Sequence, residues 1–168
     1  DEFVFHLVFL RFKREHCTDA VAAAGHAAAQ GLLLRIPGVV SARFGRTFTS
    51  GRAAGFTHSL SVVFEHRRAF EGWADSPLHE AWGALHVAPF LDGPGSESIV
   101  KIDMLAPVTV AEDEDQIVDH TVFFKMRDSF RGEELTAAKA EASHLSKIPG
   151  VMYASFGKAF LHKGDAEY

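Results

Sequence analysis

One ten-residue stretch occurs twice in this 168-residue chain. Residues 36–45 read Ile-Pro-Gly-Val-Val-Ser-Ala-Arg-Phe-Gly, and residues 148–157, 112 positions later, read Ile-Pro-Gly-Val-Met-Tyr-Ala-Ser-Phe-Gly. Further upstream, residues 6–13 resemble residues 120–125 at an offset of 114. A nearly constant offset over most of a chain indicates an internal repeat. This constrains the fold strongly, because whatever unit the chain forms must be encoded twice.

The repeated stretch predicts a helix end followed by a strand. Pro37 cannot continue a helix, and Gly38 accepts the left-handed geometry that reverses the chain. The residues after it alternate between small or polar and apolar side chains, as an emerging strand does. An ordinary helix-to-strand turn would have the same sequence, but its recurrence behind a similar upstream strand favours a repeated unit.

The first copy predicts a complete α+β unit. Residues 3–12 form a strand that is apolar on both faces, so it must lie between two layers. One layer would be helices, and the other a second sheet or the interior of a barrel. The later elements are a helix at 18–35, strands at 39–49 and 56–65, short helices at 67–74 and after Ser76-Pro77, and a strand at 99–105. The order β-α-β-β-α-β is that of a ferredoxin-like unit.

The second copy stops early. We predict a complete domain at 3–105, an acidic linker at 106–116 and the first half (β-α-β) of a second domain at 117–168. Half a unit would leave a sheet edge and an apolar face exposed, so we expect the missing half to follow or another element to cover the gap. The chain starts at Asp1, almost directly before a strand, and we expect an upstream segment that leaves targeting open.

Composition excludes several functions. The net charge of −5 and the absence of a basic stripe argue against a nucleic-acid partner. Cys17 is the only cysteine, so the chain has neither an internal disulfide nor a thiolate metal cage. No apolar run reaches the roughly 18 residues of a membrane span. We expect a soluble protein of the cell interior or an organelle rather than a secreted one, and no cofactor.

The helix of the first copy is unusual, because residues Ala20–Leu34 contain no Lys, Arg, Asp or Glu. A surface helix normally keeps one charged face. We interpret this helix as covered by something beyond its own sheet; the alternative is a slightly hydrophobic surface helix. The equivalent helix of the second copy, at 132–147, carries several charges.

Three histidines are the candidate catalytic residues: His6, His58 and His79. If the strand faces that carry His6 and His58 meet under the helices, the three imidazoles line one apolar cavity, where they can act as acids or bases. The other pocket residues would be Trp73, Leu60, Val62, Val8 and Trp82. Alternatively, each histidine is a satisfied core residue. Three histidines could also hold Zn²⁺, but no closely spaced ligand pair supports this, and we predict no metal.

Five segments together resemble the stress-responsive dimeric α/β-barrel domain family: residues 6–13, 36–39, 55–65, 76–79 and 87–90. The resemblance implies a ferredoxin-like protomer whose sheet pairs with another to form a barrel. The two copies of this chain would pair with each other as an intrachain pseudo-dimer, or two chains would form a homodimer.

Comparison with the polyketide cyclases of that family leaves two expected functions. Their catalytic and pocket histidines would fall on His6, His58 and His79, but their catalytic tyrosine would fall on Trp73. An indole N–H donates a hydrogen bond yet cannot exchange a proton as a phenol does. We therefore expect a non-catalytic binding or assembly subunit that docks a protein partner through its barrel surface and the 20–34 helix. The alternative is a cyclase-like enzyme or apolar-ligand binder.

Overall fold

The computed structural model describes residues 2–49, 53–106, 118–122, 124–127, 129–151, 154 and 156–160. These residues fall into two units: one runs to Leu105 and includes residues 159–160, and the other comprises Ala106–Lys158. In the described part of the chain, no helix combines the length and the apolar character that crossing a membrane requires.

The first unit is a sheet with helices packed against it. Its strands are β1 (Phe3–Leu10), β2 (Val39–Arg46), β3 (His58–Phe64) and β4 (Ile99–Ala106), and a short β5 (Lys158–Phe160) follows β4 in the order β2-β3-β1-β4-β5. β3 runs antiparallel to both β1 and β2. The helices are α1 (Asp19–Leu32), α2 (Arg67–Trp73), α3 (Pro77–His86) and the single-turn α4 (Gly95–Ser98). The predicted ferredoxin-like α+β fold is confirmed.

Local sequence signals set the ends of α1. The Thr18 hydroxyl accepts a hydrogen bond from the Val21 amide at 3.2 Å and caps the first turn. At the other end a 3₁₀ turn, Leu33–Arg35, leads into the Pro-Gly turn, where Gly38 has φ 81°. Gly150 has φ 85° at the same place in the second copy. The helix end predicted from the repeat is therefore present in both copies.

β1 lies at the centre of the fold and is buried on both faces. Val4, Val8 and Leu10 belong to the core that β1 shares with the helices. On the opposite face, Phe5 and Leu7 are also buried. This double burial explains why the strand carries apolar residues at almost every position.

A glycine allows α1 to approach β2 and α3 closely. A Cβ on Gly25 would lie 2.5 Å from the Cδ1 atom of Phe44, closer than packed side chains allow. The Gly25 carbonyl also accepts a hydrogen bond from Trp82 Nε1 at 3.1 Å. The close approach of the Phe44 ring requires a residue without a side chain at this position.

The second copy departs from the prediction. Its helix is present as α5 (Glu133–Ser143), followed by a 3₁₀ turn at His144–Lys147. The strand expected near His120 is not formed in residues 118–122 or 124–127. β1, its equivalent in the first unit, lies between β3 and β4, and a strand without such neighbours is not stable by itself. Of the predicted linker, Ala106 is the last residue of β4, and residues 107–116 lie outside the described residues.

Candidate functional site

A buried histidine–aspartate pair lies where β1 and β4 run side by side. His6 Nδ1 donates a hydrogen bond to Asp103 Oδ1 across 2.6 Å, and the two side chains are only 8% and 6% exposed. Short hydrogen bonds to a charged acceptor are strong, and a buried carboxylate requires one. Asp103 was not among the residues predicted from the sequence. A lone acid within the mostly apolar strand 99–106 was the signal that could have identified it.

Trp73 contacts both His6 and His79. Its indole stacks on the His79 ring, with the ring centroids 4.3 Å apart, and meets the His6 ring edge-on at 6.0 Å. Only 2% of Trp73 is exposed, and its Nε1 is sealed from solvent without a hydrogen-bond partner among the described residues. The structure thus brings His6, Trp73 and His79 together, with Asp103 as a further member. We call these four residues the β1–β4 site.

The surroundings of His79 keep its imidazole neutral. Burial lowers the pKa of His79 below the ordinary 6.5, and electrostatic interactions with His6 and Lys101 lower it further. A hydrogen bond to the backbone of Ala74 raises the pKa and opposes these effects only in part. A neutral imidazole near pH 7 can act as a base.

His58 does not belong to the β1–β4 site, so the predicted cavity lined by all three histidines is wrong. On β1, Leu10 is opposite His58, whereas His6 is opposite Val62. Positions four residues apart along a strand are separated by about 13 Å, because each residue advances the chain by about 3.3 Å. That is too far for one bridging water molecule.

His58 is instead a core residue. Its ring stacks on Phe44 at 5.5 Å and lies 4.3 Å from the ring of Phe12. Its Nδ1 is 3.0 Å from the Thr57 hydroxyl, whereas Nε2 is sealed without a partner among the described residues. Burial, with a smaller effect from the charge of Arg46, lowers the pKa of His58 to about 4. The alternative interpretation, a histidine packed into the core, holds for this residue.

The apolar residues predicted to line a pocket belong to the same core. At most 7% of any of their surfaces is exposed, and the set consists of Val8, Leu60, Val62, Trp73 and Trp82. Within the described ranges, no three His, Cys, Asp or Glu side chains are arranged so that they could hold a metal ion.

The His6–Asp103 pair has the arrangement of an acid–base dyad. The carboxylate holds the proton of His6 on Nδ1 and leaves Nε2 as the reactive nitrogen. Nε2 forms no hydrogen bond with the described residues and is not one of the sealed nitrogens, which are His58 Nε2 and Trp73 Nε1. A small molecule that displaced the Trp73 indole would therefore meet a correctly oriented base.

A second candidate site is the outer face of α1. Between the exposed charged residues Asp19 and Arg35, the exposed residues carry no charge and consist of Ala20, Ala23, Ala24, Ala27, Gly31 and, in the 3₁₀ turn that follows, Leu34. We call this surface the α1 outer face. We expected it to be covered by something beyond its own sheet, but in the described chain it is open.

Comparison with known proteins identifies the family. The model of the Stress responsive A/B Barrel Domain matches residues 4–105, and the chain belongs to this family. This confirms the resemblance stated from the sequence. No curated protein matches the chain in sequence.

Solved structures show the same fold. The hydroxynitrile lyase of Passiflora edulis superposes with a TM-score of 0.50 and 23% identity, covering 66% of this chain and 98% of that enzyme. A protein of Arabidopsis thaliana gives 0.50 and 19%, covering 65% and 99%. A dimeric ferredoxin-like protein of unknown function from Jannaschia sp. CCS1 gives 0.49 and 24%, covering 60% and 96%. At these identities the first two show the fold alone, and the similarity to polyketide cyclases stays a prediction.

Proposed function

We propose that this chain is a non-catalytic member of its family that binds a protein partner as an assembly subunit. The observation that carries the proposal is the buried Trp73 indole, which packs against both His6 and His79 where a substrate would have to contact them. A catalytic pocket needs that space for its substrate.

The Trp73 indole would be difficult for a ligand to displace. Removing a buried tryptophan side chain typically costs about 3–5 kcal/mol, so a ligand that displaced Trp73 would have to recover a comparable free energy. The Trp73 indole also cannot transfer a proton as a phenol does. The two imidazoles therefore serve mainly to pack around Trp73.

The α1 outer face is the proposed binding surface. This face combines small residues with the apolar Leu34, which is 37% exposed. The small residues let another backbone approach closely. A helix surface with so few charges is unusual on a protein that stays free in solution, and it supports the proposed protein–protein contact.

The test is the native mass of the protein isolated from its source. We expect wild type and Gly72→Glu to migrate in a particle much larger than the chain, and Ala27→Glu to migrate as the free chain. Gly72 is the matched control because it is an exposed position on α2, and a Cβ there meets no atom within 4 Å. Equal thermal unfolding of the two variants would show that the fold is intact. A free wild-type chain, or Ala27→Glu in the large particle, contradicts the proposal.

A second function, a cyclase-like enzyme or a binder of small apolar ligands, is favoured by the His6–Asp103 pair. Under this alternative the wild-type chain binds apolar aromatic ketones saturably, and His79→Ala abolishes binding. Trp73→Tyr would restore the expected phenol and increase turnover. If these ketones bind neither wild type nor Trp73→Tyr, this second function is excluded.

A further inference from the structure

β2 has backbone groups that point away from the sheet. It is the terminal strand in the strand order, next to β3. Thr47, directly after β2, donates its amide hydrogen to the Thr57 carbonyl across 2.9 Å. Residues of an antiparallel pair alternate between bonding the neighbouring strand and pointing their N–H and C=O groups away from it. In this register Ala42 and Phe44 therefore point theirs towards the free edge, where another strand could pair with them.

Two side chains of α1 bond to these backbone groups. The Phe44 amide donates a hydrogen bond to His26 Nδ1 at 3.3 Å, and the Gln30 side-chain amide donates one to the Ala42 carbonyl. His26 and Gln30 are four residues apart and so lie on the same face of the helix. Together they supply one acceptor and one donor, which are the bonds that a neighbouring strand would make to Phe44 N–H and Ala42 C=O.

Small residues bring α1 close enough for this contact. Gly25 and Ala29, each directly before one of the two polar residues, are the buried residues of the helix. Both His26 and Gln30 are themselves half-buried. Their side chains are thus held between the helix and the strand edge.

Helix formation does not explain these two residues. Alanine is a better helix former than either histidine or glutamine. At the corresponding positions of the sequence repeat, 112 residues later, α5 has Ala138 and Ala142. The choice of His26 and Gln30 is explained by the strand edge that they bond.

We propose that His26 and Gln30 form an edge guard, which keeps residues 42–44 of β2 from pairing with β2 of a second copy of this chain. Across a two-fold axis, each chain would offer the other the same free N–H and C=O groups. The side chains of Ala42 and Phe44 belong to the core, so pairing would leave them in place and require only that the guard be lost.

The consequence is that association between copies uses another surface for as long as α1 is docked. This inference does not rest on the proposed function. The Ala27→Glu variant leaves both guard residues unchanged, so the two experiments fail independently.

The experiment compares wild type with the double variant His26→Ala/Gln30→Ala. In sedimentation at equal concentrations, the double variant should form larger species than wild type as the concentration rises. In dilute solution its Phe44 amide should exchange hydrogen roughly fivefold or more faster than in wild type, because the amide has lost its acceptor. At concentrations where the variant associates, that amide should become protected again, because a strand of the second copy now accepts its hydrogen bond.

The matched control is His26→Ala/Gln30→Lys. Lysine keeps a donor for the Ala42 carbonyl and places a charge at the edge, which opposes strand pairing. This control should sediment as wild type does. Urea unfolding followed by tryptophan fluorescence shows whether each variant is folded. If the double alanine variant is not, His26→Ala alone, which retains Gln30, should still show the faster exchange of the Phe44 amide.

Four results would overturn the proposal. The first is equal mass of wild type and the double alanine variant at every concentration. The second is association of that variant with its Phe44 amide still exchanging freely, which would place the second copy elsewhere. The third is equal association of the lysine control. The fourth is an unchanged exchange rate of the Phe44 amide in His26→Ala, which would show that the histidine does not protect the edge.

Discussion

Replacing His58 by phenylalanine should remove much of the pH dependence of folding. The His58 side chain is fully buried between Phe12 and Phe44, and its pKa is lowered to about 4 from the ordinary 6.5. The unfolded chain therefore binds a proton near pH 6.5 that the folded chain takes up only near pH 4. Stability from this group is complete above pH 6.5 and is lost progressively as the pH falls towards 4.

The magnitude follows from that difference. One pKa unit corresponds to about 1.4 kcal/mol, so the wild-type free energy of unfolding should fall, through His58 alone, by about 2 kcal/mol at pH 5 and about 3 kcal/mol at pH 4. His58→Phe has no group to titrate and should lack this loss. At pH 7 the two proteins should differ little: the variant removes a sealed, unpartnered nitrogen, worth about 1–3 kcal/mol, but the larger ring costs about 1–3 kcal/mol in overpacking.

The assay is urea unfolding at pH 7, 6, 5 and 4, followed by tryptophan fluorescence. Trp73 and Trp82 are the only tryptophans, and both lie in the core of the first unit. The quantity to compare is the change with pH in the difference between wild type and variant. His144→Phe, at an exposed histidine, is the control and should follow wild type. Parallel curves for wild type and His58→Phe would refute the reasoning, because they would mean that the folded protein protonates His58 as readily as the unfolded one.

Two further substitutions test the packing of α1 and of the β1–β4 site. Gly25→Ala should lower the free energy of unfolding by about 1–3 kcal/mol, because the new methyl group meets Phe44. The control Gly31→Ala, whose methyl group meets nothing within 4 Å, should raise the free energy of unfolding by up to about 1 kcal/mol. Equal effects of the two variants in chemical denaturation would exclude the contact between residue 25 and Phe44. Asp103→Asn should lower stability by roughly 1.5–3 kcal/mol by weakening the charged hydrogen bond to His6, and Asp75→Asn, at an exposed site, should leave the melting temperature unchanged. An Asp103→Asn protein as stable as wild type would show that the pair contributes nothing.

Much of the fold could be predicted from local features of the sequence. The repeat placed the Pro-Gly turn at Gly38 and Gly150, since only a few residues tolerate that backbone geometry. The double apolar pattern of β1 predicted burial on both faces. These features depend on residues close together in the chain, so their pattern is visible without coordinates.

Pairing between distant residues was decided only by the tertiary structure. His6 and Asp103 are 97 positions apart, and only the adjacency of β1 and β4 brings them within 2.6 Å. The strand pattern correctly placed His6 and His58 on one face, but the register between β1 and β3 separates them by four residues. The alternation of side chains along a strand fixes which face of the sheet each one occupies. Which residue of the neighbouring strand lies opposite it is fixed by pairing across the sheet.

The second copy shows the same division most clearly. The apolar positions of residues 118–148 repeat positions that are buried in the first copy, so the sequence predicts core side chains there. Whether those side chains become a core was decided by tertiary structure: a strand needs neighbours to pair with and an apolar face needs a layer to cover it. In the first unit β3, α2 and β4 supply both, so Leu10 is buried, whereas Phe124, its equivalent, is exposed.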